Sequence, residues 1–231
     1  MARKKKRPSE KDLYPVVQRW LKRQYRCFAA GINTGLRYSR VDVFGLRDVG
    51  GDLYSEVESI VVEVKRGTQP FATASGQTLG YRVYANRVYL ADFRDTPFTQ
   101  DEIQIASHLG IGLIQIRGQR CIESLSSPYY RPLPKFAMAL IEKLQYGKCQ
   151  LCESIFLIGK GPNKTYGNVS RENLKNAIEQ ERGLMFWNRE VAERKRKAGL
   201  RHSEDGSTFE RRFICPDCIA YVFSQFKLQK E

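Results

Sequence analysis

The stretch SIVVEVK, residues 59–65, decides the architecture of this chain. Ile60, Val61, Val62 and Val64 are β-branched, stiff at χ1 and suited to a pleated strand. Alternation along a strand points Glu63 and Lys65 to one face and Val62 and Val64 to the other, toward a core. Immediately upstream, SRVDVFGL (39–46) reads as a second strand, and Cys27 to Ile32 as a third. Gly50-Gly51-Asp52 marks the turn before SIVVEVK. The three strands predict an antiparallel meander. Before them, Leu13, Val16, Val17, Trp20 and Leu21 recur at helical spacing, and Ser9 with Asp12 has capping-box spacing, so a helix is expected over about residues 10–25.

Downstream, Pro70 opens a helical region over 71–85, although Gly76 and Gly80 weaken it. RVYLADF (87–93) predicts a strand, Thr99 caps a helix over 100–109 with Glu102 as its capping-box acid, and GLIQIR (112–117) is another strand. The order describes an α/β fold, a mixed central sheet flanked by helices. Residues 1–8 form a basic tail and 9–125 the α/β domain. The Pro- and Tyr-rich stretch 126–134 reads as a linker, and 135–231 as a smaller module. In that module, helices are expected over about 135–146 and 171–198.

The 231 residues carry 39 Lys and Arg against 25 Asp and Glu, a net +14 with pI near 9.6. Ten Lys/Arg against two acids fall within residues 1–26, so the charge is concentrated rather than scattered. Such a charge attracts polyanions, because each phosphate contact releases condensed counterions. No segment approaches the roughly 18 consecutive apolar residues of a membrane helix, and Met1 to Arg7 has no apolar segment behind it of the kind a secretory signal needs. Four of the six cysteines lie in Cys-x-x-Cys pairs, which fits metal-bound thiolates in a reducing compartment better than disulfides. The expectation is a cytoplasmic protein with no membrane partner. Cys27 and Cys121 read as ordinary buried cysteines.

Cys149-Gln-Leu-Cys152 and Cys215-Pro-Asp-Cys218 each place two thiolates beside one tight turn, the spacing of a tetrahedral Zn²⁺ site. A thioredoxin-type redox motif would need one pair only, following a βαβ strand. Four sulfur ligands leave no open position, so the zinc is structural. The sixty-two residues between the pairs predict a helical insertion inside the module. His108, expected to be structural, and His202, expected to be exposed, build no histidine–metal nuclease motif.

Chemistry is expected elsewhere. If SRVDVFGL and SIVVEVK are neighbours, Asp42 shares a face with Glu63 and Lys65. Converging carboxylates repel, and a divalent cation removes that penalty. Magnesium prefers oxygen ligands and keeps several waters, so two carboxylates and a phosphate oxygen suit it. A lysine beside them can orient a nucleophilic water or neutralise a phosphate. The plainer alternative for VEVKR is an edge strand with alternating exposed charges and an ion pair across one face. The same acid-x-Lys spacing occurs in Glu193-Arg194-Lys195, within a charged segment where no site is expected.

The runs RVDVFG, IVVEVKRG and SGQTLGYRVYANRVYLAD resemble the PD-(D/E)xK, or restriction-endonuclease-like, nuclease superfamily. The likeness is nearest the branch with a glutamine on the helix after the motif strand, as in Holliday-junction-resolvase-like and several restriction enzymes. It spans about residues 9–117. It implies that Asp42 and Glu63 are metal ligands, that Lys65 is the catalytic lysine and that Gln77 is the helix-borne active-site glutamine. Glu10 matches an acidic residue that some members place near the metal. The prolyl half of the motif is absent, since Val41 precedes Asp42. Tyr81, one turn after Gln77, reads as core packing. The function implied is a Mg²⁺-dependent DNA endonuclease of restriction, defence or repair type. Alternatives are a non-catalytic zinc-containing nucleic-acid-binding protein and a Holliday-junction-type resolvase acting as a homodimer.

Overall fold

The computed structural model describes residues 7–36, 39–50, 56–158, 165–166, 171–179, 184–187 and 211–228. The chain divides into two compact units, with Leu140 closing the first and Ile141 opening the second.

The first unit is built on a mixed six-stranded sheet. Its strands are β1 (Ala29–Gly35), β2 (Arg40–Asp48), β3 (Val57–Lys65), β4 (Arg87–Phe93), β5 (Gly112–Arg117) and β6 (Arg120–Leu125), in that spatial order. β1, β2 and β3 form the expected antiparallel meander. β4 and β5 then run parallel to β3, and β6 returns antiparallel. Parallel neighbours need a crossover. The one between β3 and β4 contains α2 (Phe71–Gly80) and a 3₁₀ turn (Tyr81–Val83); the one between β4 and β5 contains α3 (Gln100–Leu109). β3 is therefore an interior strand, not the edge strand of the plainer alternative. Its nearly continuous apolar run is what a strand covered on both faces requires.

α1 (Glu10–Gln24) covers one face of the sheet. Leu13, Tyr14, Val16, Val17 and Leu21 of α1 bury against Val43, Ile60, Val62, Val64, Tyr89, Ala91, Ile114 and Ile116. Each such aliphatic side chain contributes about 1.5–3 kcal/mol when fully withdrawn from water. The seat of Cys27, just after α1, depends on Gly45: a Cβ there would lie 2.7 Å from Cys27 Sγ, whereas Leu21 Cδ1 of α1 would be at 3.4 Å. α2 packs on β3 and β4, and α3 on β5 and β6. The α3 cap matches its sequence signal. Thr99 N–H donates to Glu102 Oε2 at 2.7 Å, and Glu102 N–H donates to Thr99 Oγ1 at 3.2 Å.

Several expectations change. β6 was not foreseen; Gly118, at φ 61°, turns β5 back onto it. The segment 126–134 does not run free. Tyr130 N–H donates to the Asn86 carbonyl at 2.7 Å, Leu133 N–H to the Val83 carbonyl at 3.1 Å, and the Arg82 guanidinium sits 3.6 Å over the Tyr130 ring. His108, expected to be structural, is exposed on α3. α4 (Pro134–Lys143) ends three residues earlier than expected.

The second unit contains a β7 (Tyr146–Lys148) and β8 (Ile155–Leu157) hairpin, and a small sheet of β9 (Thr165–Tyr166), β10 (Leu184–Trp187) and β11 (Arg211–Ile214). α5 (Arg171–Glu179) and α6 (Pro216–Leu228) pack on each other. Residues 184–187, expected to be helical, are a strand: the run LMFW is aromatic and lacks the polar face that α5 carries. The rest of the expected helix to residue 198, His202 and the Glu193–Lys195 triplet lie outside the described residues. No helix among the described residues is long and apolar enough to cross a membrane.

Candidate functional site

β2 and β3 pair in register from Val43↔Val62 to Asp48↔Val57. Asp42 lies one residue beyond the last pair, beside Glu63 in the same register. There its side chain takes over what a strand carbonyl would otherwise do: Asp42 Oδ2 accepts the Val64 N–H at 2.9 Å. Its other oxygen, Oδ1, accepts the Tyr14 hydroxyl at 2.7 Å. Asp42 is thus tied to α1 and to β3 at once.

Glu63 and Lys65 share a face of β3, as alternation requires, and both are buried. Lys65 Nζ donates to Glu63 Oε1 at 2.5 Å. The Tyr81 hydroxyl lies 2.6 Å from Glu63 Oε2 and 2.7 Å from the Arg40 carbonyl oxygen, so one proton serves two acceptors. Tyr81 is buried as expected, but it is not a packing residue alone: its hydroxyl reaches a candidate ligand. Burial pushes the Glu63 carboxyl above its ordinary range, and the Asp42 charge pushes it further; Lys65 and Tyr81 pull it back. Both tyrosines are held protonated, first by burial and then by the carboxylates they touch, so each acts as a donor.

Asp42, Glu63, Gln77 and Tyr81, with Ser39 and Arg40, line an open cavity of about 280 Å³. Gln77 is exposed on α2 and contributes to this wall. Lys65 lines a second cavity of about 390 Å³ with Arg7, Gln69, Asp92 and Arg94. The Glu63–Lys65 pair therefore stands between the two spaces. Glu10 is half-exposed at the start of α1 and is not in the wall of either cavity. Its charge adds to what holds the Tyr14 hydroxyl protonated, one helical turn away.

The donor set fits a hard divalent cation. Each carboxylate oxygen has one described hydrogen-bond partner and two lone pairs, which leaves acceptor capacity for a ligand bond. Burial and then repulsion from Asp42 raise Glu63, and such a cation would offset both.

In the second unit, Cys149, Cys152, Cys215 and Cys218 bring their sulfur atoms within 4.8 Å of one another. The first pair occupies the β7–β8 turn, where Glu153 adopts φ 62°. In the second pair, Cys215 follows β11 and Cys218 lies in the first turn of α6. Cys152 Sγ and Cys215 Sγ are 3.7 Å apart. Four sulfurs at about 2.3 Å from a central zinc would be separated by roughly 3.8 Å. Leu151 N–H and Cys215 N–H donate to Cys149 Sγ at 3.4 and 3.3 Å. Around the cluster, Cys149 and Cys215 pack with Leu174, Ala177, Ile214 and Ile219. The cluster can hold a metal ion such as zinc with all four positions filled by protein.

No family model matches this chain, and no curated protein matches it. Among solved structures it is similar to a protein of unknown function from Silicibacter pomeroyi, at 22% identity and a TM-score of 0.44, over 59% of this chain and 84% of that one.

Proposed function

We propose that this protein is a divalent-metal-dependent nuclease that hydrolyses phosphodiester bonds in DNA. The observation that carries the proposal is the buried Asp42–Glu63–Lys65 set on β2 and β3, with Asp42 and Glu63 facing a cavity that Gln77 also lines and Lys65, paired with Glu63, facing the adjoining one. Two carboxylates and a lysine in this arrangement suit a polyanionic substrate, and the net +14 of the chain suits the same partner.

Asp42 and Glu63 would hold the cation, with Mg²⁺ the expected ion. Such an ion, when bound, would supply Lewis-acid stabilisation of the charge on the phosphoryl oxygens. Lys65, anchored on Glu63, orients the attacking water and neutralises the phosphate that approaches its ammonium. Gln77, on the cavity wall, offers an amide to the water or to the sugar–phosphate backbone. Zn²⁺ in the four-cysteine cluster has no open position and acts as a scaffold.

The experiment is incubation of the full chain with supercoiled plasmid, linear duplex and branched DNA, with and without Mg²⁺. The expected result is Mg²⁺-dependent nicking or cutting that Asp42→Ala and Lys65→Ala abolish. Intact DNA in every case, or cleavage undiminished by those substitutions, overturns the proposal. Salt-sensitive binding without cleavage would identify a nucleic-acid-binding protein instead.

A further inference from the structure

The first helix meets the carboxylate pair through a hydroxyl. Tyr14 is 7% exposed, and its ring packs in the α1–sheet core with Val43, Val62 and Val64. Its Oη–H donates to Asp42 Oδ1 at 2.7 Å while the Val64 N–H donates to Oδ2 at 2.9 Å. The terminal torsion of an aspartate is soft and broad. Two donors from two different elements, one on each oxygen, remove that freedom and fix which lone pairs face the cavity. Glu10, by contrast, sits half-exposed at the helix start and has no part in the cavity wall.

We propose that Tyr14 is a positioning residue that sets the affinity of the Asp42–Glu63 pair for a divalent cation, and that Glu10 is not needed for it. The inference rests on the metal site assigned above. Without the hydroxyl, Asp42 keeps the Val64 N–H but can swing about it, and the ion must order the carboxylate as it binds. Partners that orient a metal ligand in this way typically change metal affinity by about 10- to 100-fold. Tyr14→Phe is the informative change because it keeps the ring that the α1–sheet core needs. A tyrosine that served folding alone would alter the melting temperature and leave the metal isotherm in place.

The test is a calorimetric titration of Mn²⁺ alone into the full chain, purified without chelator, for wild type, Tyr14→Phe, Glu10→Gln and Asp42→Asn, with plasmid nicking measured across the same Mn²⁺ range. For Tyr14→Phe the Mn²⁺ dissociation constant is expected to rise about 10- to 100-fold, with nicking recovering as Mn²⁺ is raised. Glu10→Gln is expected to superimpose on wild type, and Asp42→Asn to remove the binding. A Tyr14→Phe isotherm identical to wild type overturns the role of Tyr14. A Glu10→Gln isotherm displaced as far as that range overturns the claim that Glu10 is not needed, and that arm stands even if Tyr14→Phe does not fold. Absence of any Asp42-dependent Mn²⁺ binding in the wild type overturns the metal site itself, which separates failure of the site from failure of its positioning.

Discussion

The carboxylate end of β2 and β3 and the four-cysteine cluster both gather side chains from segments far apart in sequence, yet they are opposite kinds of site. At the carboxylates, burial and the neighbouring Asp42 charge push Glu63 above its ordinary range, and an open cavity adjoins them. Around the cysteines, backbone N–H groups already point at Cys149 Sγ, and apolar residues seal the two buried sulfurs. The first arrangement carries an unfavourable interaction that a bound cation would relieve. The second, once loaded, has nothing left to bind. Strength of sequence signal and proposed chemical capability therefore run in opposite directions here: paired Cys-x-x-Cys is unmistakable and marks a cluster that can hold a metal, whereas acid-x-Lys is common and marks the end proposed to be reactive.

The largest effect that can break this contrast is loss of the clasp. Structural zinc sites contribute apparent free energies of about 10–16 kcal/mol near neutral pH, more than a small unit retains without them. Cys149→Ser or Cys215→Ser, or prolonged treatment with a strong chelator, is expected to release one zinc per chain and to unfold the second unit. The melting transition of the first unit should remain. Zinc content by mass spectrometry and a two-transition thermal melt check this. A second unit that stays folded without metal would show that packing of Leu174, Ala177 and Ile219, not the ion, holds it together.

At the carboxylates the response should be inverted: activity disappears and the fold persists. Asp42→Asn keeps an oxygen for the Val64 N–H and removes the charge that burdens Glu63. Cleavage is expected to fall to background while the melting temperature of the first unit holds or rises. Lys65→Met comes next, with cleavage reduced on the order of 10²–10³-fold, the range seen when a single donor to a reacting oxyanion is removed. It should also lower stability, because Glu63 is left buried without its cation. Plasmid cleavage rates beside thermal melts separate the two outcomes. Equal losses of fold and activity in Asp42→Asn would mean that the carboxylates are structural after all.

Much of this was legible in the chain, and what was not has physical reasons. SIVVEVK carried the sheet, and its period of two placed Glu63 with Lys65 correctly. The same stretch did not say whether it lay at an edge, since neighbours are set by the whole topology. β6 was hidden because RCIESL alternates weakly and its residues are mostly only half-buried. LMFW was assigned to a helix because charged residues on either side masked four residues of strand character. The reach of Tyr14 was invisible for a different cause. A tyrosine on an apolar helix stripe looks like any core residue, and nothing in its spacing shows where the hydroxyl ends. Tyr81 was passed over on the same ground, although it sits one turn beyond Gln77.

Gln77 gives the smallest effect and the sharpest test of the helical part of the site. It is exposed on α2, so its side chain offers the fold little, and surface substitutions of this kind usually fall within about 0.5 kcal/mol. Alanine is also the better helix former, so Gln77→Ala should leave the melt unchanged or raise it slightly. Its amide nevertheless lines the cavity beside Asp42 and Glu63. If that amide orients water or backbone, its loss should lower the cleavage rate by roughly tenfold, about 1.4 kcal/mol of transition-state stabilisation, with the Mn²⁺ isotherm unmoved because no carboxylate has changed. A shift in metal affinity would place Gln77 among the groups that organise the ligands. An unchanged rate would make it an ordinary solvent-facing helix residue and confine the chemistry to the two strands.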